Sequence, residues 1–191
     1  LLCCGDWGDP DQVKPDDLRA FSERLPVFTV FGNHDPLEFL REWQNRDGTP
    51  VLLSNGEVRR VRPVNLAGLN GIWAKSHRLP YYVTDQDIDE AVLRLARTGE
   101  RVDILVSHGC PSGVADLTPA NRHGGQRCFL RAFQALRPAV YLTGHLHRAQ
   151  QHVTRERQVI RNVGQTPMGE AVLIDWTEAG CEVAGLLVPR E

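Results

Sequence analysis

The chain has 191 residues, a net charge of −2, and 41 % hydrophobic and 24 % charged side chains, which fits one domain over residues 1–191 with a buried core. This balance predicts no bulk attraction to long nucleic acid or to an anionic membrane surface. No apolar run approaches the roughly 20 residues of a transmembrane helix. The five cysteines lack the spacing of a disulfide framework, so we expect a reducing compartment and a cytoplasmic protein.

Apolar runs of strand length alternate with helical periods along the chain. In order, the pattern predicts the second half of a strand at 1–4, a helix at 16–25, a strand at 27–31, a helix at 36–48, strands at 51–53, 58–61 and 64–69, a helix at 84–99, a strand at 102–106, a helix at 126–136, and strands at 140–143, 158–163, 171–176 and 181–188. Asn55-Gly56 predicts a hairpin between 51–53 and 58–61, Thr84 caps a helix, and 177–180 form the last turn. The alternation predicts an α/β fold of mixed sheets covered by helices.

Four short segments at the ends of strand-like runs carry the candidate chemistry. They are Gly5-Asp6-Trp7-Gly8-Asp9, Gly32-Asn33-His34-Asp35, Ser107-His108-Gly109 and Gly144-His145-Leu146-His147. Taken singly, each segment is as well explained by a turn. Loops at strand ends are where such folds gather functional groups. Together the segments bring carboxylate, amide and imidazole groups to one edge of a sheet, a combination typical of a metal site.

In order and spacing, these segments resemble the GDxxD, GNHD/E, single-His and GHxH motifs of the calcineurin-like metallophosphoesterase superfamily. The stretch from the third segment to the fourth is similar to its small bacterial and archaeal branch. The resemblance implies a four-layer α/β/β/α sandwich with mixed sheets. It also implies two divalent metal ions, with Asp6 bridging them, Asn33, His108 and His145 completing the second, and His147 binding the first. Manganese, iron and zinc all suit this mixture of oxygen and imidazole ligands.

The resemblance further implies an enzyme that hydrolyses a small phosphodiester or phosphomonoester, with the diester favoured. Two ions would bind the phosphoryl oxygens, and a metal-bound hydroxide would attack phosphorus. His34, poised by Asp35, would act as the general acid that protonates the leaving alkoxide. We expect Asp9 to orient a neighbouring group rather than to bind metal.

One family motif is missing from the chain. The DxH motif, which supplies ligands to the first metal, normally lies on the first strand, and no such segment precedes Asp6. Because the residues from Leu1 read as the second half of a buried strand, we expect the first strand and this motif to lie before Leu1 in the native protein. Two alternatives stay open: a truncated protein that holds one metal, and a non-catalytic scaffold that binds a protein partner.

The substrate pocket is less well defined by the sequence. Residues 73–78, together with Tyr81 and Tyr82, place aromatic beside basic groups, which suits stacking and phosphate contact, although packing of Trp73 into the core explains the segment equally well. Arg122 and His123 either lean over the site or lie on the surface. A metal-dependent nuclease acting on single strands is a further alternative. A nucleic acid partner is not favoured, no membrane partner is expected, and the sequence leaves the oligomeric state open.

Overall fold

The computed structural model describes residues 1–177 and 180–188. Its elements, in chain order, are β1 (Leu2–Cys3), α1 (Pro15–Arg24), β2 (Phe28–Thr29), α2 (Leu37–Glu42), β3 (Val58–Val61), β4 (Val64–Leu69), β5 (Ile72–Trp73), β6 (Tyr82–Val83), α3 (Asp85–Arg97), β7 (Ile104–Ser107), α4 (Arg127–Leu136), β8 (Val140–Thr143), β9 (Gln150–Val153), β10 (Val159–Asn162), a 3₁₀ turn (Thr166–Met168), β11 (Glu170–Thr177) and β12 (Gly180–Leu187). The fold is mixed α/β, as the sequence predicted.

The centre of the fold is a six-stranded mixed sheet with the strand order β3-β4-β7-β8-β10-β9. Its four inner strands run parallel, and the edge strands β3 and β9 run antiparallel to their neighbours. β1 and β2 form a separate parallel pair, and β11 and β12 form an antiparallel hairpin. Because β7 and β8 are neighbours in the same direction, the loops that follow them leave the sheet side by side.

Side chains that alternate along the inner strands bury both faces of this sheet, so the fold has four layers. Leu105 and Tyr141 point to one face and pack with the helices α3 and α4. Val106 and Leu142 point to the other face and pack with β1, β2 and the inner side of the β11–β12 hairpin. A third apolar cluster, which includes Leu40, joins α1 and α2 to β2 on the outside. This arrangement is the predicted α/β/β/α sandwich.

The predicted hairpin at Asn55-Gly56 is wrong. β3 pairs instead with β4, and the chain reverses at Arg62-Pro63. The side chain of Asn55 accepts hydrogen bonds from the backbone N–H and the side-chain amide of Asn70, both at 2.9 Å, so a tertiary contact decides its conformation. Residues 51–53 form a single parallel bridge, Leu52 to Thr29, in place of a strand.

The second helix ends earlier than the predicted 36–48, at Glu42. Trp43 is extended at the helix end, and its indole N–H donates to the hydroxyl of Ser22 on α1 at 2.9 Å. The buried side chain of Asn45 accepts a hydrogen bond from the backbone N–H of Val27 at 2.7 Å. Packing against α1 and β2 therefore replaces the last predicted helical turn.

The other predicted helices are confirmed to within a residue or two at most ends, and Thr84 caps α3 as predicted, because its hydroxyl and the Asp87 carboxylate bind each other's backbone N–H. The short strands β5, β6 and β9 were not predicted. Of the predicted turn at 177–180, residues 178 and 179 lie outside the described residues. Within 1–177 and 180–188, every helix is too short or too polar to span a lipid bilayer.

Candidate metal centre

Four strands deliver the four sequence segments to one place. Asp6 follows β1, Asn33 follows β2, His108 follows β7, and His145 follows β8. The two sheets are joined here, because the ring of His108 lies 2.7 Å, Nδ1 to oxygen, from the backbone carbonyl of Cys4. The loops after β7 and β8 are joined as well, since the N–H of Gly144 donates to the His108 carbonyl at 3.2 Å.

The side chains of Asp6, His108 and His145 converge on a single point. One donor atom of each lies within 4.8 Å of the other two, and this is the one group of three histidine, cysteine or acidic side chains with that property in the described part of the chain. His108 Nε2 lies 3.4 Å from Asp6 Oδ2 and 3.1 Å from His145 Nδ1. Two imidazole nitrogens and a carboxylate at these distances form a donor set for a divalent cation.

The burial of His108 keeps its imidazole in the form that binds metal. Its side chain is 1 % exposed, and Nδ1–H donates to the Cys4 carbonyl, which leaves the lone pair on Nε2 directed toward the cluster. Burial lowers the pKa of His108 to about 4 and also lowers the pKa of His145. Both rings are therefore neutral near neutral pH, and a neutral ring has the lone pair that a cation needs.

The amide oxygen of Asn33 provides an independent test of whether the site suits a cation. This Oδ1 atom is buried and has no hydrogen-bond partner. Buried polar atoms are nearly always paired, and leaving one unpaired costs about 1–3 kcal/mol. The preceding Gly32 lies against the cluster, because a Cβ there would stand 2.2 Å from Asp6 Oδ1 and 2.5 Å from His108 Cε1. Asn33 lies between Gly32 and His34, both of which contact Asp6, and an unpaired oxygen on this residue fits a metal ligand.

Three of the predicted ligands have a left-handed backbone, which is uncommon for residues other than glycine. The φ angles are 60° at Asp6, 62° at His145 and 51° at His147. Such conformations carry local strain of about 1–3 kcal/mol each and persist where the surroundings enforce them, most often at functional sites. His145 and His147 therefore both take the left-handed conformation within the turn of residues 144–147.

The carboxylate of Asp35 has other partners than the ring of His34 that the sequence predicted. Asp35 is buried and accepts from the backbone N–H groups of Asp6, Trp7 and Gly32, at 2.8, 2.8 and 2.6 Å. It therefore ties the first segment to the second. Burial raises the pKa of Asp35 to about 6, and these three hydrogen bonds oppose that rise.

The ring of His34 pairs with Asp9, so the expected pairing with Asp35 is corrected. His34 Nδ1 lies 2.8 Å from Asp9 Oδ1, and the backbone N–H of His34 donates to Asp6 Oδ1 at 2.8 Å. This hydrogen bond to Asp9 raises the pKa of His34. The negative charge of Asp35 also raises the pKa of His34, but by less than the hydrogen bond to Asp9 does. The role of Asp9 as an orienting group agrees with the sequence prediction, and the group it orients is His34.

The predicted ligand His147 is exposed and does not belong to the three-residue cluster. It follows His145 in the same strained turn, two residues along the chain. The structure thus brings Asp6, His108 and His145 together, with Asn33 beside them, and leaves His147 at the edge.

Two buried residues that support the site were missed from the sequence. The side-chain amide of Asn162, at the end of β10, donates to the carbonyl of Gly144 at 2.8 Å and to the Sγ atom of Cys110 at 3.2 Å. The Cys110 thiol lies 3.2 Å from the same carbonyl. These contacts fix the base of the turn that carries His145. The signal available was an asparagine at the end of the strand-like run 158–163.

The predicted substrate segment lines a cavity of its own. Residues 73–77 and 84–86 surround about 550 Å³ beside the start of α3. Trp73 packs against the α3–α4 core, and its indole N–H donates to Asp85 at 2.8 Å. These contacts favour the core-packing alternative for Trp73, while Tyr81 and Tyr82 stack edge to face outside the cavity.

Comparison with known protein families gives a match over most of the chain. A family model described as calcineurin-like phosphoesterase matches residues 1–149. Two curated relatives are lariat debranching enzymes, from Arabidopsis thaliana (25 % identical) and Drosophila melanogaster (24 % identical). Each match covers 77 % of this chain, but only 47 % and 36 % of the respective relative. The chain thus spans less than half the length of these proteins.

Solved structures share the fold at low sequence identity. The crystal structure of TT1561 of Thermus thermophilus has a TM-score of 0.66 and 18 % identity, and the match covers 92 % of this chain and 81 % of that one. A second crystal structure has a TM-score of 0.70 at 18 % identity, and the match covers 89 % of this chain and 70 % of the chain in that structure. At this identity the comparison supports the fold alone.

Proposed function

Because the chain belongs to the calcineurin-like phosphoesterase family, we propose that it is a metal-dependent phosphoesterase. The single observation that carries the proposal is the convergence of Asp6, His108 and His145 to within 4.8 Å beside the buried, unpaired Oδ1 of Asn33. A donor set of this kind, on two neutral imidazoles and two oxygens, suits a divalent cation that binds phosphoryl oxygens.

The same residues would hold the metal. We propose two divalent ions, of manganese, iron or zinc, with Asp6 shared, Asn33, His108 and His145 on one, and His147 on the other. When bound, they would polarise the phosphoryl oxygen and acidify a water molecule. The family generally binds divalent metals, and the cluster supports at least one such position.

In this proposal His34 is the proton donor. Its Nδ1–H is held by Asp9, so Nε2 is the atom free to protonate the oxygen that leaves phosphorus. Asp35 is a positioning residue, because its carboxylate binds the backbone of Gly32 and Asp6 and so sets the spacing of the first two segments. Both groups act without covalent contact with phosphorus, which suits a reaction governed by charge and position.

The proposed substrate is a small phosphodiester, with a phosphomonoester as the alternative. The net charge of −2 argues against a long nucleic acid, which a basic surface would attract. One observation favours a second candidate, a metal-dependent nuclease: the curated relatives are lariat debranching enzymes. Since the chain spans less than half the length of those proteins, we propose nuclease activity only as the second candidate function.

The test is turnover by the full chain after loading with Mn²⁺. An aryl phosphodiester and the matched aryl monoester are assayed, and the ions bound per chain are counted on the same sample. We expect Mn²⁺-dependent hydrolysis that a chelator removes. Asn33→Ala lowers Mn²⁺ affinity by at least the roughly 10–100-fold that loss of a supporting group costs at a metal site, and turnover falls with it.

Asn65→Ala is the matched control. Asn65 is the second residue of β4 and lies at the end of that strand away from the loops that carry the site. Its side-chain amide donates to the Arg101 carbonyl. We expect its metal content and turnover to equal those of the unaltered protein. Metal binding without hydrolysis of either ester would favour the non-catalytic scaffold, and absence of metal binding would exclude the proposed centre.

A further inference from the structure

The loop between β7 and α4 contains a second aspartate–histidine pair that the proposed reaction does not use. Asp116 is 1 % exposed, and its Oδ1 lies 2.7 Å from Nδ1 of His123, whose side chain is 67 % exposed. The other oxygen, Oδ2, accepts from the backbone N–H groups of Gly113 at 2.9 Å and Gly125 at 3.1 Å. Burying a carboxylate costs free energy unless both of its oxygens are paired. In Asp116 the partner of one oxygen is the exposed ring of His123.

This pairing fixes the direction of the ring. Because the carboxylate accepts from Nδ1–H, the Nε2 atom of His123 points away from Asp116 and meets no protein partner in the described hydrogen bonds. The arrangement matches that of His34 with Asp9, in which Nδ1 is also held, at 2.8 Å. The third such pair, His77 with Asp87, is different, since it uses Nε2 and its aspartate also binds the backbone N–H of Thr84, the cap of α3.

The loop that carries His123 is held against the strained turn of residues 144–147. Gly124 packs closely on Leu146, because a Cβ atom added to Gly124 would lie 2.7 Å from Cδ2 of Leu146. The side chain of Gln150 binds both the N–H and the carbonyl of Leu117, at 3.0 and 2.7 Å. The residue next to His123 therefore touches the residue between His145 and His147, so the pair lies on a loop beside the turn that carries two of the proposed ligands.

We propose that His123 contacts the phosphate ester directly and is a substrate-binding residue of the proposed phosphoesterase. Because Asp116 holds Nδ1, a proton on the outward Nε2 atom donates a hydrogen bond to an anionic phosphate oxygen. The pair supplies a directed ring nitrogen beside this turn, and the described hydrogen bonds give the ring no partner other than Asp116. The inference rests on the proposed function for the identity of the ligand, and on the loop contacts for its place.

The test uses two substitutions that separate the two ring nitrogens. His123→Asn keeps an N–H near the position of Nδ1 and loses Nε2, whereas His123→Gln places an amide near Nε2. With the Mn²⁺-loaded full chain and the aryl phosphodiester, we expect His123→Asn to raise KM by roughly 10- to 100-fold, the range of a hydrogen bond to a charged group. His123→Gln recovers part of that loss, and Mn²⁺ affinity is unchanged in both.

A merely structural role predicts the reverse order, with His123→Asn tolerated because it still binds Asp116 and His123→Gln impaired. That order, or an unchanged KM in both variants, overturns the proposal. The control is His152→Asn, an exposed histidine on the edge strand β9, for which KM is expected to stay the same.

A binding measurement separates this proposal from the phosphoesterase assignment. Inorganic phosphate is titrated into the Mn²⁺-loaded protein and into His123→Asn, with binding followed by calorimetry and the histidine ring nitrogens by NMR. Phosphate binding that shifts the Nε2 signal of His123 and weakens in the variant supports the contact even if no ester is hydrolysed. Hydrolysis with an unmoved His123 signal overturns the contact alone, and absence of both binding and hydrolysis overturns both proposals.

Discussion

Histidines occur in two contrasting environments in the metal centre, at its floor and at its rim. On the floor, His108 is buried, its Nδ1 is held by a backbone carbonyl, and burial lowers its pKa to about 4. At the rim, His34 is about half exposed, its Nδ1 is held by Asp9, and that hydrogen bond raises its pKa. The pKa of the same side chain is thus moved down in one place and up in the other.

In the proposed phosphoesterase, this difference would separate two chemical tasks within one site. A ring that must give its lone pair to a cation has to be neutral, and a ring that must give a proton has to carry one. The surroundings of Nδ1 determine the direction of the pKa shift. For His108 the partner is a backbone carbonyl in a buried, apolar environment, and for His34 it is a carboxylate near solvent. When titratable groups in one site are driven in opposite directions, their acid and base roles can be assigned from their surroundings.

The largest expected effect comes from the floor. His108→Asn removes Nε2 but keeps a side-chain N–H that can donate to the Cys4 carbonyl, so the metal ligand is lost with little change to the support. We expect Mn²⁺ affinity to fall by more than the roughly 10–100-fold typical of outer groups, and turnover to fall to background. Isothermal titration and the aryl phosphodiester assay measure the two effects. Full Mn²⁺ affinity in this variant would remove His108 from the ligand set.

The next effect comes from the rim. His34→Ala removes the proposed proton donor and leaves the floor intact, so we expect kcat to fall by about 10²–10⁴-fold with Mn²⁺ affinity unchanged. A series of aryl diesters with increasingly basic leaving groups sharpens the test, because the loss grows as the leaving oxygen needs its proton more. A loss that is equal for all leaving groups would contradict the proton-donor role.

A smaller effect is expected from the partner of the rim histidine. Asp9→Asn keeps an oxygen that can accept from His34 but removes the charge, so we expect kcat to fall by about tenfold, close to one pKa unit of interaction. In the His34→Ala background the same change has no further effect, because the two residues act as one unit. Additive losses in this double-mutant cycle would show that Asp9 acts on something other than His34.

The gathering of the four segments was predictable, and the partners within the site were not. Each segment follows an apolar strand-like run, and the parallel neighbours β1–β2 and β7–β8 deliver their ends side by side, although these two pairs lie in separate sheets rather than at one edge of a single sheet. The partner of His34 does not follow from the pattern, because Asp9 lies 25 residues away and the adjacent Asp35 was the simpler choice. Asp35 instead meets backbone N–H groups, whose directions depend on the folded loops.

The errors in the fold have the same origin. The Asn-Gly pair at 55–56 is a strong local turn signal, yet the side chain of Asn55 is captured by Asn70 across the sheet. α2 loses its last turn because Trp43 and Asn45 are held by α1 and β2. In each case a contact between distant segments overrides a local preference, and local preference is all that a pattern along the chain can report.

The hydrogen bond from His108 to the carbonyl of Cys4 joins residues 104 positions apart. Loops of that length close late in folding, because the chain entropy lost grows with loop length before the contact gives any return. The donor set for the proposed ion is therefore incomplete in a nascent chain until β7 and β8 have been synthesised and His108 has met the end of β1. An ion that binds the finished site selects the folded protein by mass action and raises its unfolding temperature, so metal affinity also reports on the completion of folding.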